Sequence, residues 1–206
     1  MKSHIKNLWP AILRFFLQLK RPSAQENLSR LQQSGSSIAD FSIREAIIQD
    51  IPSLTALHVQ AWNETYANVK NPPTYATREY QWQQQFKVTD GSWFCLVVQD
   101  TKGQFVGFAQ GKHFASEDLP DYNGELNKIY LLVPYQRLGI GQRLFCNVAQ
   151  YFKKQGITSM VLFGTPQNPS CRFHEKMGGK KLYAANGEFH GGYGWTDLSK
   201  LPSNCN

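Results

Sequence analysis

A glycine-rich turn between two predicted elements is the part of the sequence best suited to chemistry. The apolar run of residues 129–133 leads into Gln136-Arg137-Leu138-Gly139-Ile140-Gly141, and an amphipathic helical pattern begins near Gly139. Backbone N–H groups at the start of a helix have no carbonyl partner within it, and the helix dipole adds partial positive charge there. Glycine also permits close backbone approach to a ligand. The turn is therefore a candidate site for phosphate oxygens, although a simple tight connection fits the same residues.

The positive charge of the chain is concentrated at its N-terminus. The formal net charge over 206 residues is +7, and the first 21 residues contribute +5 of it without any Asp or Glu. The remaining chain carries only about +2, which is too little to predict binding to DNA or RNA. With 41% hydrophobic residues, the chain is long enough for one domain with an extension. We therefore predict no nucleic-acid partner.

The basic N-terminal residues also have an amphipathic pattern. Residues 1–21 predict a basic amphipathic helix, and residues 22–40, rich in Ser and Gln, predict a polar linker. The apolar stretch is too short to cross a bilayer, which takes roughly 20 apolar residues. A weak peripheral membrane contact fits this helix. Fraying in solution, or packing on its own domain or on a second copy, fits it equally well, so both a monomer and a homodimer remain open.

The cysteines give no sign of a metal site or a redox pair. No C-x-x-C spacing occurs among the four, which are Cys95, Cys146, Cys171 and Cys205. Scattered cysteines of this kind are typical of reduced thiols. The sequence therefore predicts a reduced, cytoplasmic setting and no metal, and Cys171 is expected to pack as a small hydrophobic residue.

Residues 41–206 are predicted to form one mixed α/β domain. The patterns give the order β-α-α-β-β-β-α-β-α-β-β, with a hairpin signal at residues 100–103. One helix is expected over residues 139–154, and a shorter one over residues 169–177 with Asn168 as its N-cap. Hairpins join the early strands and helical crossovers join the later ones. The front half of the sheet should therefore be largely antiparallel.

Three segments of this array resemble the GNAT superfamily of acetyl-CoA-dependent N-acetyltransferases. Residues 124–132, leading into residues 136–141, are similar to the family's central strand, pyrophosphate loop and helix. Residues 168–179, NPSCRFHEKMGG, resemble its second conserved block, usually N-P-A-x-x-F-Y-E-x-x-G-G. Residues 57–66, LHVQAWNETY, look like the first helix of one bacterial-type branch. The resemblance covers roughly residues 41–198.

The resemblance implies an α/β (α+β) fold on a central mixed sheet of six to seven strands, splayed between strands 4 and 5, with helices on both faces. It implies acetyl-CoA in the gap as co-substrate, with no metal. A backbone bulge near Leu131 and Leu132 would expose N–H groups to the pantetheine arm and the thioester, although both side chains also suit the core. Asn168 would bind the pantetheine chain while capping its helix. The remaining cofactor-binding residues are Gln136, Arg137, Leu138, Gly139, Ile140, Gly141 and Gln142.

The same resemblance suggests two catalytic side chains. Glu125 stands where many relatives carry a glutamate, and it would remove a proton, directly or through water, from an amine with a reference pKa near 10.4. An exposed carboxylate at a strand end fits Glu125 as well. His174 departs from the family, because relatives usually have there the tyrosine proposed as general acid. An imidazole can protonate a thiolate, and a packing role also fits a lone histidine on a helix.

The acceptor pocket is expected to be acidic and aromatic. Trp62, Tyr66 and Tyr75 come from the helix pair that usually frames it, and an acidic cluster at residues 117–125 is predicted beside it. A pocket lined by aromatic rings and carboxylates suits a cationic amine. The sequence thus predicts an N-acetyltransferase in which a primary amine of a small molecule or peptide attacks acetyl-CoA directly. The alternative is an acyl-CoA-binding module of weak or no activity that docks on a partner or a membrane surface.

Overall fold

A seven-stranded sheet of order β1-β2-β3-β4-β5-β7-β6 forms the centre of the fold. The computed structural model describes residues 21–66, 69–202 and 205. The helix expected over residues 1–21 lies outside these residues, except for Arg21. The strands are β1 (Ser42–Glu45), β2 (Trp93–Gln99), β3 (Phe105–His113), β4 (Gly124–Leu131), β5 (Met160–Phe163), β6 (Lys180–Tyr183) and β7 (Phe189–Trp195).

The sheet changes direction and opens between β4 and β5. β1 to β4 are antiparallel neighbours, as are β5, β7 and β6, whereas β4 and β5 run parallel. Only two positions of β4 pair with β5, Gly124 with Met160 and Glu125 with Val161. β4 then continues to Leu131 without further pairing to β5 in the described part of the chain. The predicted mixed sheet, splayed between its fourth and fifth strands, is therefore confirmed.

Helices cover both faces of the sheet, as predicted. The helix Ile140–Lys154 packs on one face through Leu144, Phe145 and Phe152. The helices Ile51–Thr65 and Tyr75–Phe86 pack on the other through residues such as Leu57 and Trp82. No helix among the described ranges is long and apolar enough to span a bilayer. The helices are α1 (Ala24–Gln33), α2 (Ile51–Thr65), α3 (Tyr75–Phe86), α4 (Ile140–Lys154) and α5 (Cys171–Lys176).

The two apolar layers explain why β2 is apolar from Trp93 to Val98. Successive side chains of a strand point to opposite faces of the sheet. Phe94, Leu96 and Val98 accordingly belong to the α4 layer, while Cys95 and Val97 belong to the α2–α3 layer. A strand buried on both faces reads as a continuous apolar run rather than an alternation. The central strands are thereby fixed between two cores, which holds the open edge of β4 in place.

Residues 24–33, predicted as part of a polar linker, form helix α1 instead, so the linker prediction is wrong for them. The Ser23 hydroxyl accepts a hydrogen bond from the Glu26 N–H, and the Glu26 carboxylate accepts one from the Ser23 N–H at 2.6 Å. This capping box satisfies two N–H groups that the helix would otherwise leave unpaired. Leu31 is buried against the α4 layer. The helix was not predicted because its sequence is rich in Ser and Gln and has only a narrow apolar stripe.

The expectation of four reduced cysteines is also wrong. Cys146 of α4 and Cys205 form a disulfide in the structure, with their Cα atoms 4.9 Å apart. The Gln150 side chain donates a hydrogen bond to the Cys205 carbonyl oxygen at 3.2 Å, so Cys205 lies against α4. A sequence separation of 59 residues hides this proximity. Cys95 and Cys171 are free thiols.

Candidate active site

A cleft opens where β4 separates from β5. Its walls are the free edge of β4, the end of β5 with the following loop, the first turns of α5, and the C-terminal end of α2. The main lining residues are Thr65, Tyr66, Asn127, Lys128, Ile129, Tyr130, Leu131, Gln136, Leu162, Phe163, Gly164, Thr165, Asn168, Ser170, Cys171, His174, Gly191 and Tyr193, together with Arg21. Of the residues expected at the site, the structure thus brings Tyr66, Leu131, Gln136, Asn168 and His174 to one cleft.

The bulge in β4 lies at Asn127 rather than near Leu131 and Leu132. Pairing with β3 shifts between Gln110–Lys128 and Gly111–Leu126, which leaves Asn127 as the extra residue. At the other end of β4 the pairing with β3 is regular, and the Leu132 N–H donates to the Val106 carbonyl oxygen at 2.9 Å. The predicted bulge position is therefore wrong, because it depends on strand register, which side-chain identity does not reveal.

The turn before α4 has the geometry expected of an anion site. Arg137 and Gly139 adopt positive φ angles of 63° and 81°, and Gly139 is the N-cap of α4. The N–H groups of Ile140, Gly141 and Gln142 begin the helix and so have no carbonyl partner within it. With the positive end of the helix dipole, these amides form a place where an anion is stabilised. The side chains of this turn contribute less to the anion site than its backbone amides do.

Two residues of the turn serve the core rather than the cleft. Leu138 and Ile140 are buried in the α4 layer. Their side chains hold the turn against the sheet, so any ligand contact they make must come from the backbone. The Gly141 position is open, since a Cβ there would meet its nearest neighbour, Leu131 Cδ2, at 3.8 Å.

Helix α1 is hydrogen-bonded to the same turn. The Asn27 side chain is fully buried and donates two hydrogen bonds, to the carbonyl oxygens of Val133 and Gln136, each at 2.9 Å. The Gln136 side chain in turn donates to the Leu131 carbonyl oxygen at 2.7 Å and accepts from Arg21 at 3.3 Å. The Gln136 side chain therefore links the turn to the end of β4 and to Arg21, which precedes α1.

Replacement of Asn27 by aspartate should weaken CoA binding and destabilise the fold. The carboxylate cannot donate to the two carbonyl oxygens, and leaving buried polar groups unpaired costs about 1–3 kcal/mol. Urea unfolding and calorimetric titration with CoA measure the two effects. Gln32→Glu makes the same chemical change at an exposed position of α1 and should alter neither. Equal CoA affinity in Asn27→Asp and the unchanged protein would show that α1 does not position the turn.

Asn168 links the two walls of the cleft. Its side-chain amide donates to the Tyr66 hydroxyl at 3.1 Å, and its side-chain oxygen accepts from the Ser170 N–H at 2.9 Å. The N-cap of α5 is Ser170, so the predicted N-cap role of Asn168 is wrong, and the helix starts at Cys171 rather than at residue 169. Asn168 instead closes the loop just before α5 and ties it to the end of α2.

The three predicted aromatic residues are not equally close to the cleft. Tyr66 lines it, and Trp62 stands behind Tyr66 with 5.2 Å between the ring centroids. Tyr75 is 42% exposed, and its hydroxyl donates to the Pro52 carbonyl oxygen at the opposite end of α2. At 1.5 Å per residue, the 14 residues from Pro52 to Tyr66 span roughly 21 Å. The structure therefore does not bring Tyr75 to the cleft.

Glu125 lies at the last paired position before β4 and β5 separate. Its side chain is largely buried, forms an ion pair with Lys112 at 3.0 Å, and accepts a hydrogen bond from the Asn127 side chain at 2.6 Å. It faces the α2–α3 side of the sheet beside the bulge, because the next residue, Leu126, belongs to the α4 layer and successive side chains alternate. The carboxylate is therefore buried two residues before Asn127, the first β4 residue that lines the cleft, rather than exposed at a strand end. Glu125 itself is not among the lining residues.

His174 is buried in a wall of aromatic rings. It is 3% exposed, one ring nitrogen is 3.1 Å from the Ser170 hydroxyl, and the ring contacts Phe173, Tyr193 and Trp195. Burial lowers the pKa of His174 to about 4. The imidazole is consequently neutral near pH 7, which does not favour a role as a proton donor.

Acid should destabilise the fold through His174. Its pKa is about 4 in the folded chain, against about 6.5 when unfolded, so the unfolded chain binds more protons between these values. Its contribution to stability is complete above pH 6.5 and is lost as the pH falls toward 4, by about 2 kcal/mol between pH 7 and pH 5. Urea unfolding at both pH values should show that His174→Phe removes this part of the pH dependence. His190→Gln, at an exposed site, should leave it unchanged, and an unaltered slope in His174→Phe would contradict the burial argument.

Lys128, which the sequence interpretation passed over, lines the cleft. Its ammonium group donates to the Gln110 side-chain oxygen at 2.7 Å and also to the Asn127 side-chain oxygen. Burial, with help from Arg78 and Lys112, lowers the pKa of Lys128 to about 8. A lysine directly before the apolar run of residues 129–133 was the available sequence signal. No group of three or more His, Cys, Asp or Glu side chains suited to a metal ion occurs among the described residues.

The open edge of β4 leads to a helix N-terminus whose backbone amides can stabilise an anion. The family model for the "Acetyltransferase (GNAT) family" matches residues 54–179. The chain belongs to the GNAT acetyltransferase family, and the resemblance noted from the sequence is confirmed. A relative, the uncharacterized N-acetyltransferase YuaI of Bacillus subtilis, is 33% identical over 176 residues, covering 80% of this chain and 98% of that protein.

Other comparisons agree with this assignment. The phosphinothricin N-acetyltransferase of Streptomyces viridochromogenes is 30% identical over 105 residues, which cover 50% of this chain and 56% of that enzyme. The PaiA N-acetyltransferase of Thermoplasma acidophilum, solved with coenzyme A, has a TM-score of 0.60 at 21% identity over 75% of this chain and 97% of its own. A phosphinothricin acetyltransferase from Sinorhizobium meliloti, solved with AcCoA, has a TM-score of 0.56 at 18% identity over 75% of this chain and 86% of its own. These two structures support the fold.

Proposed function

We propose that the chain transfers an acetyl group from acetyl-CoA to a primary amine by direct attack. The observation that carries this proposal is the continuity between the unpaired edge of β4 and the N-terminus of α4. The edge offers backbone hydrogen-bonding groups along an extended path, and the helix start offers amides at the end of that path. Such a shape suits a carrier with a linear arm and a diphosphate. The similar structures solved with CoA or AcCoA add support.

The cationic groups around the turn also suit a diphosphate. Arg21 lies in the cleft, and the neighbouring Arg137 lowers the pKa of its guanidinium, an effect second to that of burial. Two positive groups next to the free amides of residues 140–142 favour an anion there. In the proposed complex the backbone of residues 137–142 holds the diphosphate, and Asn168 binds the pantetheine arm. Leu131 contributes its backbone at the β4 edge, whereas the Leu132 N–H already has a partner.

Acyl transfer requires a neutral amine and a stabilised oxyanion. Glu125 is the proposed base, because it is the carboxylate beside the point where the cleft begins. The backbone N–H of the bulge residue Asn127 is proposed to donate to the oxyanion, in place of those of Leu131 and Leu132. Asn127 has no paired residue on β3. Losing one such donor typically costs about 2.7–4 kcal/mol. The leaving thiolate, with a reference pKa near 8.5, can take its proton from water. No step depends on protonated His174.

The acceptor is proposed to be a small-molecule amine. The similarity to a phosphinothricin N-acetyltransferase supports a small acceptor, although that match covers only 56% of the enzyme. A cytoplasmic location remains a prediction, as do a monomeric or homodimeric state and a weak membrane contact of residues 1–21. Co-sedimentation with anionic liposomes tests the last of these. Equal partitioning of the full chain and a variant lacking residues 1–20 would contradict it.

Release of free thiol from acetyl-CoA in the presence of an amine panel tests the function. We expect amine-dependent thiol release together with an acetylated product detected by mass spectrometry. CoA binding by calorimetry, with no product from any amine, would instead support the alternative of an inactive acyl-CoA-binding module. The neutral, buried His174 is the observation that favours that alternative. No binding and no product would contradict both.

A further inference from the structure

Lys128 supplies the one primary amine among the described residues that line the cleft. The other strong nucleophile there is the free thiol of Cys171. That thiol donates hydrogen bonds to the carbonyl oxygens of Thr165 and Pro166, both at 3.6 Å, and these bonds favour its unreactive protonated form. Lys128, in contrast, carries the same reacting group as the proposed acceptor, and it is part of the cleft itself.

The ammonium group of Lys128 lies beside the β4 bulge. It donates to the side-chain oxygen of Asn127 and, at 2.7 Å, to that of Gln110. In the proposed complex the backbone N–H of Asn127 binds the thioester oxygen, so the carbonyl carbon lies next to the residue that the ammonium group contacts. Reaction needs the two atoms about 3–3.5 Å apart, and the flexible four-carbon stem of lysine permits such an adjustment.

No carboxylate holds the Lys128 ammonium group in a direct ion pair. The ion pairs between described side chains include Lys112–Glu125 but none with Lys128. Glu125 is linked to Lys128 through the Asn127 side chain, which donates to the carboxylate and accepts from the ammonium group. The other acidic residues expected at the acceptor pocket are exposed and do not line the cleft, namely Glu117, Asp118 and Asp121.

The surroundings of Lys128 also favour the neutral form of its amine. Burial has the largest effect on its pKa, and Arg78 and Lys112 lower it further. Cys95 and Glu125 act in the opposite direction, and the pKa of Lys128 is lowered to about 8. Roughly a tenth of the amine is then neutral at pH 7, against about one part in 2,500 for a lysine with the reference pKa near 10.4.

We propose that Lys128 accepts an acetyl group from acetyl-CoA held in the cleft of the same chain when no acceptor amine is present. This inference rests on the proposed cofactor site but does not require turnover of an added amine. The neutral Nζ attacks the thioester carbonyl carbon, the carbon–sulfur bond breaks, and one Nζ proton passes through water to the leaving thiolate. The products are N-acetyl-lysine and free CoA. The modification removes one positive charge from the cleft.

Incubation with acetyl-CoA in the absence of any amine tests this inference. We expect a burst of free thiol that stops near one equivalent per chain, and peptide mass spectrometry should place the acetyl group on Lys128. The rate constant should not depend on protein concentration, because both reacting groups belong to one complex. Lys128→Arg keeps the charge and should abolish the burst. Lys102→Arg, at an exposed turn, is the matched control and should retain it.

A thioester without the diphosphate separates reaction in the cleft from ordinary acetylation of lysines. At equal concentration, S-acetyl-N-acetylcysteamine should acetylate Lys128 at least about tenfold more slowly than acetyl-CoA does, because the cleft does not position it. Exposed Lys102 should show no such preference. Equal modification of Lys128 by both thioesters, or a rate constant that rises with protein concentration, would overturn the proposal.

The outcome is independent of whether the proposed function holds. Acetylation of Lys128 with no product from any amine supports this inference while contradicting turnover of an acceptor. Acetylated amines with Lys128 unmodified overturn this inference and leave the proposed function intact. An unmodified Lys128 with no amine product contradicts both. Peptide mapping uses the unchanged protein, and thermal melting shows whether Lys128→Arg is folded.

Discussion

Replacement of Glu125 by glutamine should lower kcat/KM for acetyl transfer about 100-fold or more. General-base catalysis contributes roughly 10²–10⁴-fold, and the amide cannot accept the proton of an ammonium group. The loss should be smaller at high pH, where more of the acceptor is already neutral. Steady-state thiol release between pH 6.5 and 9.5 measures both effects. CoA affinity should not change, because Glu125 lies before the open edge of β4.

The ion pair with Lys112 makes a purely structural role for Glu125 the rival explanation. Lys112→Met removes the same pair and leaves the carboxylate in place. If Glu125 is the base, Lys112→Met should retain far more activity than Glu125→Gln. Equal losses in the two variants, or a loss of less than about threefold in Glu125→Gln, would show that the carboxylate does not carry the proton transfer.

Replacement of Gly191 by alanine should destabilise the fold by about 3 kcal/mol or more. Gly191 has a φ angle of 90°, and a Cβ there would lie 2.7 Å from backbone atoms of Gly164 and Thr165. Backbone cannot move aside as a flexible side chain can, so the loop after β5 must shift. That loop lines the cleft, and acetyl transfer should fall with stability. Urea unfolding and thiol release measure the two losses.

The neighbouring glycine provides the control for this prediction. A Cβ on Gly192 would meet its nearest atom, Leu182 Cβ, at 3.4 Å, an ordinary contact. Gly192→Ala should therefore change the free energy of unfolding by less than about 1 kcal/mol. If the two alanine variants were equally stable, the close approach of β7 to the loop after β5 would not be a constraint on the site.

The order of strands and helices in residues 41–206 could be predicted because it depends on local sequence patterns. The hairpin signal at residues 100–103, the apolar run of β2 and the glycines before α4 each report structure within a few residues. The turn at Gly139 was predicted for the same reason, since a helix start and glycine are both local features. The splay after Glu125 followed from the family resemblance, and the parallel register of β4 and β5 bears it out.

The parts that could not be predicted depend on distant contacts. The bulge at Asn127 is set by register with β3, and the disulfide of Cys146 requires that Cys205 lie beside α4. Lys128 lines the cleft only because β4 separates from β5 beside it, so its place becomes visible only in the folded chain. Asn27 looked like one more polar residue in a Ser- and Gln-rich segment until its contacts with the turn were known.

A crystal structure of the protein with acetyl-CoA is the most direct test of the cleft as the cofactor site. We expect diphosphate oxygens within about 3 Å of backbone nitrogens in residues 137–142, with the pantetheine arm along the free edge of β4. A bound cofactor whose diphosphate lies away from this turn, or whose arm does not follow β4, would contradict it.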